Sequence, residues 1–186
     1  MATETFGPSA LATPANAVTV GRLAATPLLL ALVLRDPTSW ATLAAWVVLA
    51  GTDGVDGYLA RRHGTTRSGA FLDPLADKCL VIGAMAALVV KHVFWWLPVA
   101  LIGAREIAVS AYRSVVGRHG VSVPARFGGK VKAVVQDIAV GFALLPVGNT
   151  DTVADALLWA GVALALYTGG QYLLDARAGR TAERAV

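Results

Sequence analysis

Residues 39–90 read SWATLAAWVVLAGTDGVDGYLARRHGTTRSGAFLDPLADKCLVIGAMAALVV. Two apolar segments, 39–59 and 70–90, are joined by a short basic connection containing Arg61, Arg62 and Arg67. Each segment is close to the roughly 20 residues that an α-helix needs to cross the hydrocarbon core of a bilayer. Asp53 and Asp56 lie in the first, and Asp73 and Asp77 in the second. Strongly apolar segments flanked by arginine and interrupted by acids near that flank predict membrane helices with a polar site at one surface.

The rest of the chain repeats this pattern. Four further apolar segments, 18–34, 93–113, 131–147 and 153–174, bring the expected number of spans to six. The whole chain of 186 residues is 56% hydrophobic and 15% charged, with a mean hydropathy of +0.61. Soluble domains carry about 25% charged residues, so the composition belongs to the membrane class. The expected fold class is an all-α integral membrane protein of six transmembrane helices, with a short interfacial helix from about Asn16. The expected organisation is a flexible start at 1–15, one membrane domain at 16–175 and a basic tail at 176–186. Residues 1–21 contain no Lys or Arg, which argues against a signal peptide.

Charge sets the orientation. Of the 16 Lys and Arg residues, twelve fall on the side holding the amino end, the 61–68 and 113–132 regions and the tail, and only Arg35 and Lys91 on the other. The positive-inside rule therefore puts both termini in the cytoplasm. Lipid headgroups and phosphorylated substrates account for the net charge of +4 without a nucleic-acid partner. Cys79, the single cysteine, reads as a small buried core residue, and His63, His92 and His119 as solvated loop residues. Trp95, Trp96 and Trp159 read as markers of interfacial belts.

Ionisable side chains inside apolar segments are the informative ones: Asp53, Asp56, Asp73, Asp77, Lys78, Arg105, Glu106 and Asp137. At the centre of a span each costs about 2.5–3.5 kcal/mol, so such residues default to function or to a polar cavity. Asp53 and Asp56 are three residues apart, Asp73 and Asp77 four, so each pair shares a helix face. With so short a connection the two helices are expected to be antiparallel neighbours, bringing four carboxylates together near the cytoplasmic surface. Carboxylates that close repel one another. Divalent cations relieve this, and an oxygen-only set favours Mg²⁺ or Mn²⁺. Gly51, Gly54 and Gly57 recur every third residue beside the first pair. They open a groove that either a nucleotide or a closely packed helix can enter.

Together these residues form Asp53-x2-Asp56-Gly57-x2-Ala60-Arg61-x7-Gly69-x3-Asp73-x3-Asp77. This resembles the signature of the CDP-alcohol phosphotransferase family at every signature position. The resemblance implies two divalent cations held by Asp53, Asp56, Asp73 and Asp77, nucleotide contacts from Gly57, Ala60, Arg61 and Gly69, and Asp77 as general base toward an acceptor hydroxyl. It also implies a homodimer.

A second tier of resemblance concerns the acceptor. Asn16-x2-Thr19-x2-Arg22 is similar to the entry of the first helix in bacterial phosphatidylglycerophosphate synthases, which adds Asn16 and Thr19 to the nucleotide contacts. Arg105-Glu106-Ile107, Ser110-x2-Arg113 and Gly129-Lys130-x-Lys132 followed by Gln136 extend it. It implies CDP-diacylglycerol as donor and glycerol 3-phosphate as acceptor, with Arg105, Arg113, Lys130 and Lys132 around the acceptor's phosphate, at a bacterial cytoplasmic membrane. The subfamily's pattern is broken at Arg126, Phe127 and Ala133. Inositol phosphate or phosphatidylglycerol as acceptor would keep the chemistry. A transporter would show a second copy of the aspartate pattern, and none is present; a non-catalytic scaffold would have lost one of the four aspartates.

Overall fold

The computed structural model describes the backbone over residues 14–63, 69–118 and 127–183, and side chains over 16–52, 72–112 and 128–171. Within these residues the chain is entirely helical. The elements are α1 (Pro14–Arg35), α2 (Trp40–His63), α3 (Gly69–Val90), α4 (Trp96–Arg118), α5 (Phe127–Ala143) and α6 (Asp151–Glu183). Each expected apolar segment corresponds to one helix.

Tight local devices end and restart the helices. Ser39 caps α2, its Oγ accepting the Thr42 N–H at 3.1 Å. α3 stops in a Schellman turn: His92 takes a left-handed conformation (φ 58°), Val93 N–H donates to Leu88 O, and His92 N–H to Val89 O. Asn149 adopts φ 68° in the α5–α6 connection. Asparagine tolerates that region better than most side chains.

One apolar core draws on all six helices. It includes Leu29 and Val33 of α1, Trp46 of α2, Leu80 and Leu88 of α3, Ile102 of α4, Val140 of α5 and Leu158 of α6. The outer surface inverts the usual rule for water-soluble proteins. Ile107 is 71% exposed and Tyr167 66%, while Asn16, Thr19, Arg22, Glu106, Lys132, Gln136 and Thr168 are buried. Polar side chains point inward because the surroundings for which this surface is built offer them nothing. Among the described residues two helices, Asn16–Arg35 and Asp151–Gln171, are long and apolar enough to cross a membrane, and Trp40–Thr52 is a shorter apolar stretch. α3 misses that standard through Asp73, Asp77 and Lys78, and α5 through its 17-residue length.

Among the described residues α1 packs extensively against both α2 and α3, which approach each other at fewer places. Two expectations need correction. α1 runs unbroken from Pro14 to Arg35, so no separate interfacial helix from Asn16 stands apart from the first apolar segment within the described residues. Cys79 is exposed rather than buried. It lies on the outward face of α3, whose inward face carries Ala76, Leu80, Ala84 and Leu88. Trp95 meets Trp96 edge-on at 6.5 Å and Trp159 at 6.2 Å, forming an exposed aromatic group at the α3–α4 turn.

Candidate active site

α1 carries three buried polar residues at intervals of three, Asn16, Thr19 and Arg22. That spacing puts them along one helix face, and the face is wedged between the two aspartate-bearing helices. Thr19 Oγ1 donates to Asp73 Oδ1 of α3 at 2.6 Å. Arg22 Nε donates to Thr52 Oγ1 of α2 at 3.2 Å. Thr52 directly precedes Asp53. The first helix thus joins the other two through polar contacts at the level of the aspartates.

Asp77 follows Asp73 by one turn, and both are partly exposed. Asp77 lines a small cavity with Lys78, Glu106, Lys132, Gln136 and Asp137. α3 forms one wall of this cavity, α4 contributes Glu106 and α5 the remainder. Lys78 Nζ donates to Ser110 Oγ across the α3–α4 junction. Glu106 Oε1 accepts from Arg105 Nη1 at 2.9 Å and also pairs with Lys132 Nζ. Arg105 is anchored further: its Nε donates to Ala165 O at 3.0 Å and its Nη2 to Thr168 Oγ1 at 2.8 Å, both on α6. Gln136 is buried, and its Nε2 has no hydrogen-bond partner among the described residues.

The residues named from the sequence divide into three groups. Thr19 and Asp73 are in contact, with Asn16 on the same buried face; Asp77 and Lys132 border one cavity, and Arg105 reaches that cavity through Glu106. Lys130 is exposed on α5. The side chains of Asp53, Asp56, Gly57, Ala60, Arg61, Gly69 and Arg113 lie outside the described residues, although their backbone positions on α2, α3 and α4 are helical. The sequence marks Glu106 only as a charge inside an apolar segment and Ser110 only as part of a motif, and it does not mark Thr168 or Thr52. A threonine beside two glycines in an apolar helix, as in Thr168-Gly169-Gly170, is the pattern that could have marked the Arg105 anchor.

Among the described residues no three Asp, Glu, His or Cys side chains gather as a metal-binding group. Only two of the four signature aspartates have described side chains. Those two suit a hard divalent cation: carboxylates one turn apart, with a hydroxyl holding Asp73 in place.

The comparisons agree with this chemistry. The sequence profile of the CDP-alcohol phosphatidyltransferase family matches residues 12–167. A protein of Mycobacterium tuberculosis named as a probable phosphatidylglycerophosphate synthase is 39% identical over 178 residues, covering 91% of this chain and 84% of its own. The enzymes of Shigella flexneri serotype 5b and Escherichia coli K12 named CDP-diacylglycerol–glycerol-3-phosphate 3-phosphatidyltransferase are 42% and 41% identical over 156 residues, 79% of this chain and 86% of theirs. The matched region runs from α1 into α6 and takes in both aspartate pairs and the Arg105–Glu106–Lys132 group, so the chain belongs to the CDP-alcohol phosphatidyltransferase family of membrane-associated enzymes.

Proposed function

We propose that this protein transfers the phosphatidyl group of CDP-diacylglycerol to glycerol 3-phosphate, releasing CMP and forming phosphatidylglycerophosphate. The observation that carries this reading is one cavity lined by Asp77 of α3 together with Lys78 and Lys132. A carboxylate suited to removing a hydroxyl proton stands beside charges suited to holding a phosphate. The names of the bacterial relatives point to the same donor and acceptor.

In this mechanism the acceptor's hydroxyl oxygen attacks the phosphorus bearing diacylglycerol. The bond from that phosphorus to the CMP oxygen breaks, and Asp77 takes the hydroxyl proton. Asp53, Asp56, Asp73 and Asp77 hold two divalent cations, Mg²⁺ or Mn²⁺, which when bound neutralise charge on the diphosphate and on departing CMP. Gly57, Ala60, Arg61, Gly69, Asn16 and Thr19 receive the nucleotide. Arg105, Arg113, Lys130 and Lys132 receive the acceptor's phosphate, a dianion that needs several donors. Thr19 serves doubly, since its hydroxyl also steadies Asp73.

The site would face the cytoplasm from a six-span domain over residues 16–175, with both termini on that side, 1–15 flexible and 176–186 as a basic tail. We assign the enzyme to the bacterial cytoplasmic membrane as a homodimer without a nucleic-acid partner. The inward-pointing polar residues and outward-pointing Ile107 and Tyr167 support burial in lipid.

The test is CMP release by purified protein with CDP-diacylglycerol and Mg²⁺ or Mn²⁺. Acceptors are glycerol 3-phosphate, inositol phosphate, inositol, serine and phosphatidylglycerol. Release with glycerol 3-phosphate alone is expected. Release only with another acceptor would overturn the acceptor and keep the transfer chemistry.

A further inference from the structure

Among the described residues the backbones of α4 and α5 make no close approach; each rests instead on α3 and α6. The gap between them is crossed by long side chains, Glu106 from α4 and Lys132 from α5, paired at the edge of the Asp77 cavity. Glu106 is 8% exposed and Lys132 5%.

An ion pair is a poor way to hold two helices together in such a place. Removing both charges from water costs several kcal/mol per ion, and apolar side chains of similar volume usually hold a core as well or better. Here the pair borders a cavity lined by charged groups, where tighter packing would leave no room for a ligand. Lysine is also a flexible donor, with much rotamer entropy to lose on being fixed. A partner that already fixes its ammonium reduces what a ligand must spend on ordering it. Glu106 does this for two cations at once, since the same Oε1 accepts from Arg105 Nη1.

We propose that Glu106 is a positioning residue that holds Lys132, together with Arg105, in place for the phosphate of the acceptor. The proposal rests on the acceptor reading above and adds to it a residue that need not touch substrate itself. A Glu106 that only tied α4 to α5 would affect stability and turnover without distinguishing acceptor from donor.

The experiment is steady-state CMP release by the full-length protein in detergent micelles. KM is measured separately for glycerol 3-phosphate and CDP-diacylglycerol in wild type, E106Q, K132M and the double variant. E106Q is expected to raise the acceptor KM by about tenfold while the donor KM moves less than about twofold. In the K132M background the same substitution is expected to shift the acceptor KM by clearly less than in wild type, because only its hold on Arg105 is left to lose and residues acting through one another are not additive. E106D, which keeps the charge on a shorter stem, should recover part of the loss.

Multiplicative effects in the double variant, or equal shifts in both KM values, would overturn the role of Glu106. Should E106Q not fold, E106A takes its place in the cycle with the same criteria. Wild-type protein that releases CMP only with an unphosphorylated acceptor would instead overturn the acceptor reading, a failure visible before any variant is made.

Discussion

Thr19 Oγ1 donates to Asp73 Oδ1 at 2.6 Å across 54 residues of sequence, and three residues along the same face of α1 Arg22 Nε reaches Thr52 on α2. The two helices that carry the aspartate signature are therefore both registered against a third helix. Asp73 is oriented from outside its own helix, which matters for a carboxylate expected to bind a cation. A hydroxyl donating to it fixes its direction.

Thr19→Val keeps the shape of the side chain and removes this donor. A hydrogen bond to a charged acceptor contributes about 1.5–3 kcal/mol, so the Mg²⁺ or Mn²⁺ concentration for half-maximal CMP release should rise by about tenfold or more. Thr19→Ser should stay near wild type. A metal titration of activity in the three proteins decides it; an unchanged midpoint for Thr19→Val would detach the hydroxyl from the cation site.

Asp77→Asn removes the proposed base while leaving an oxygen ligand in place. Turnover is expected to fall by about 10²-fold or more, the low end of what general-base catalysis supplies. Metal-dependent binding of CDP-diacylglycerol should persist in part, because three of the four aspartates remain. Equilibrium binding alongside CMP release separates the two roles, and wild-type turnover would remove Asp77 from the chemistry.

Much of this arrangement was legible in the sequence. The six helices were, because each apolar run ends at a charge, a proline or a glycine cluster, and the aspartate spacings revealed pairs sharing a face. The neighbours were not. A helix apolar all round, as in residues 23–34, carries no sign of which side meets protein and which meets lipid, so the brevity of the 61–68 connection points to the α2–α3 pair and not to how much of both helices α1 covers. The polar triplet Asn16, Thr19 and Arg22 held that information, since three polar groups on one face must point toward partners. Cys79 was misread for the same reason: an apolar neighbourhood in sequence does not say whether it faces core or lipid.

Arg105 was chosen from sequence as a phosphate ligand, and its surroundings in the fold add a second duty. Three of its donor atoms are engaged, by Ala165 O, by Thr168 Oγ1 and by Glu106 Oε1. Thr168→Val removes one of these partners without changing side-chain volume much. Leaving a buried guanidinium donor unsatisfied costs about 1–3 kcal/mol, so thermal unfolding in detergent should shift downward. Should Arg105 also serve the acceptor, the KM for glycerol 3-phosphate will rise with it. No shift in either quantity would make the α4–α6 contact incidental.

The adjoining glycines on α5 offer a test whose two arms differ in sign. A Cβ added at Gly128 would lie 2.9 Å from Thr168 Cγ2, whereas nothing stands within 4 Å of one added at Gly129. Thr168 cannot easily yield. It is β-branched on a helix, where few χ1 positions are open, and its hydroxyl is held by Leu164 O at 2.7 Å while accepting from Arg105. Gly128→Ala should therefore force α5 from α6 and destabilise by about 1–3 kcal/mol, as overpacking does. Gly129→Ala meets open space and gains helix propensity, for a stabilisation of about 0.5–1 kcal/mol. Unfolding midpoints of the two variants should lie on opposite sides of wild type. If Gly128→Ala is as stable as Gly129→Ala, the close approach of α5 to Thr168 is wrong, and with it the packing that supports the Arg105 anchor.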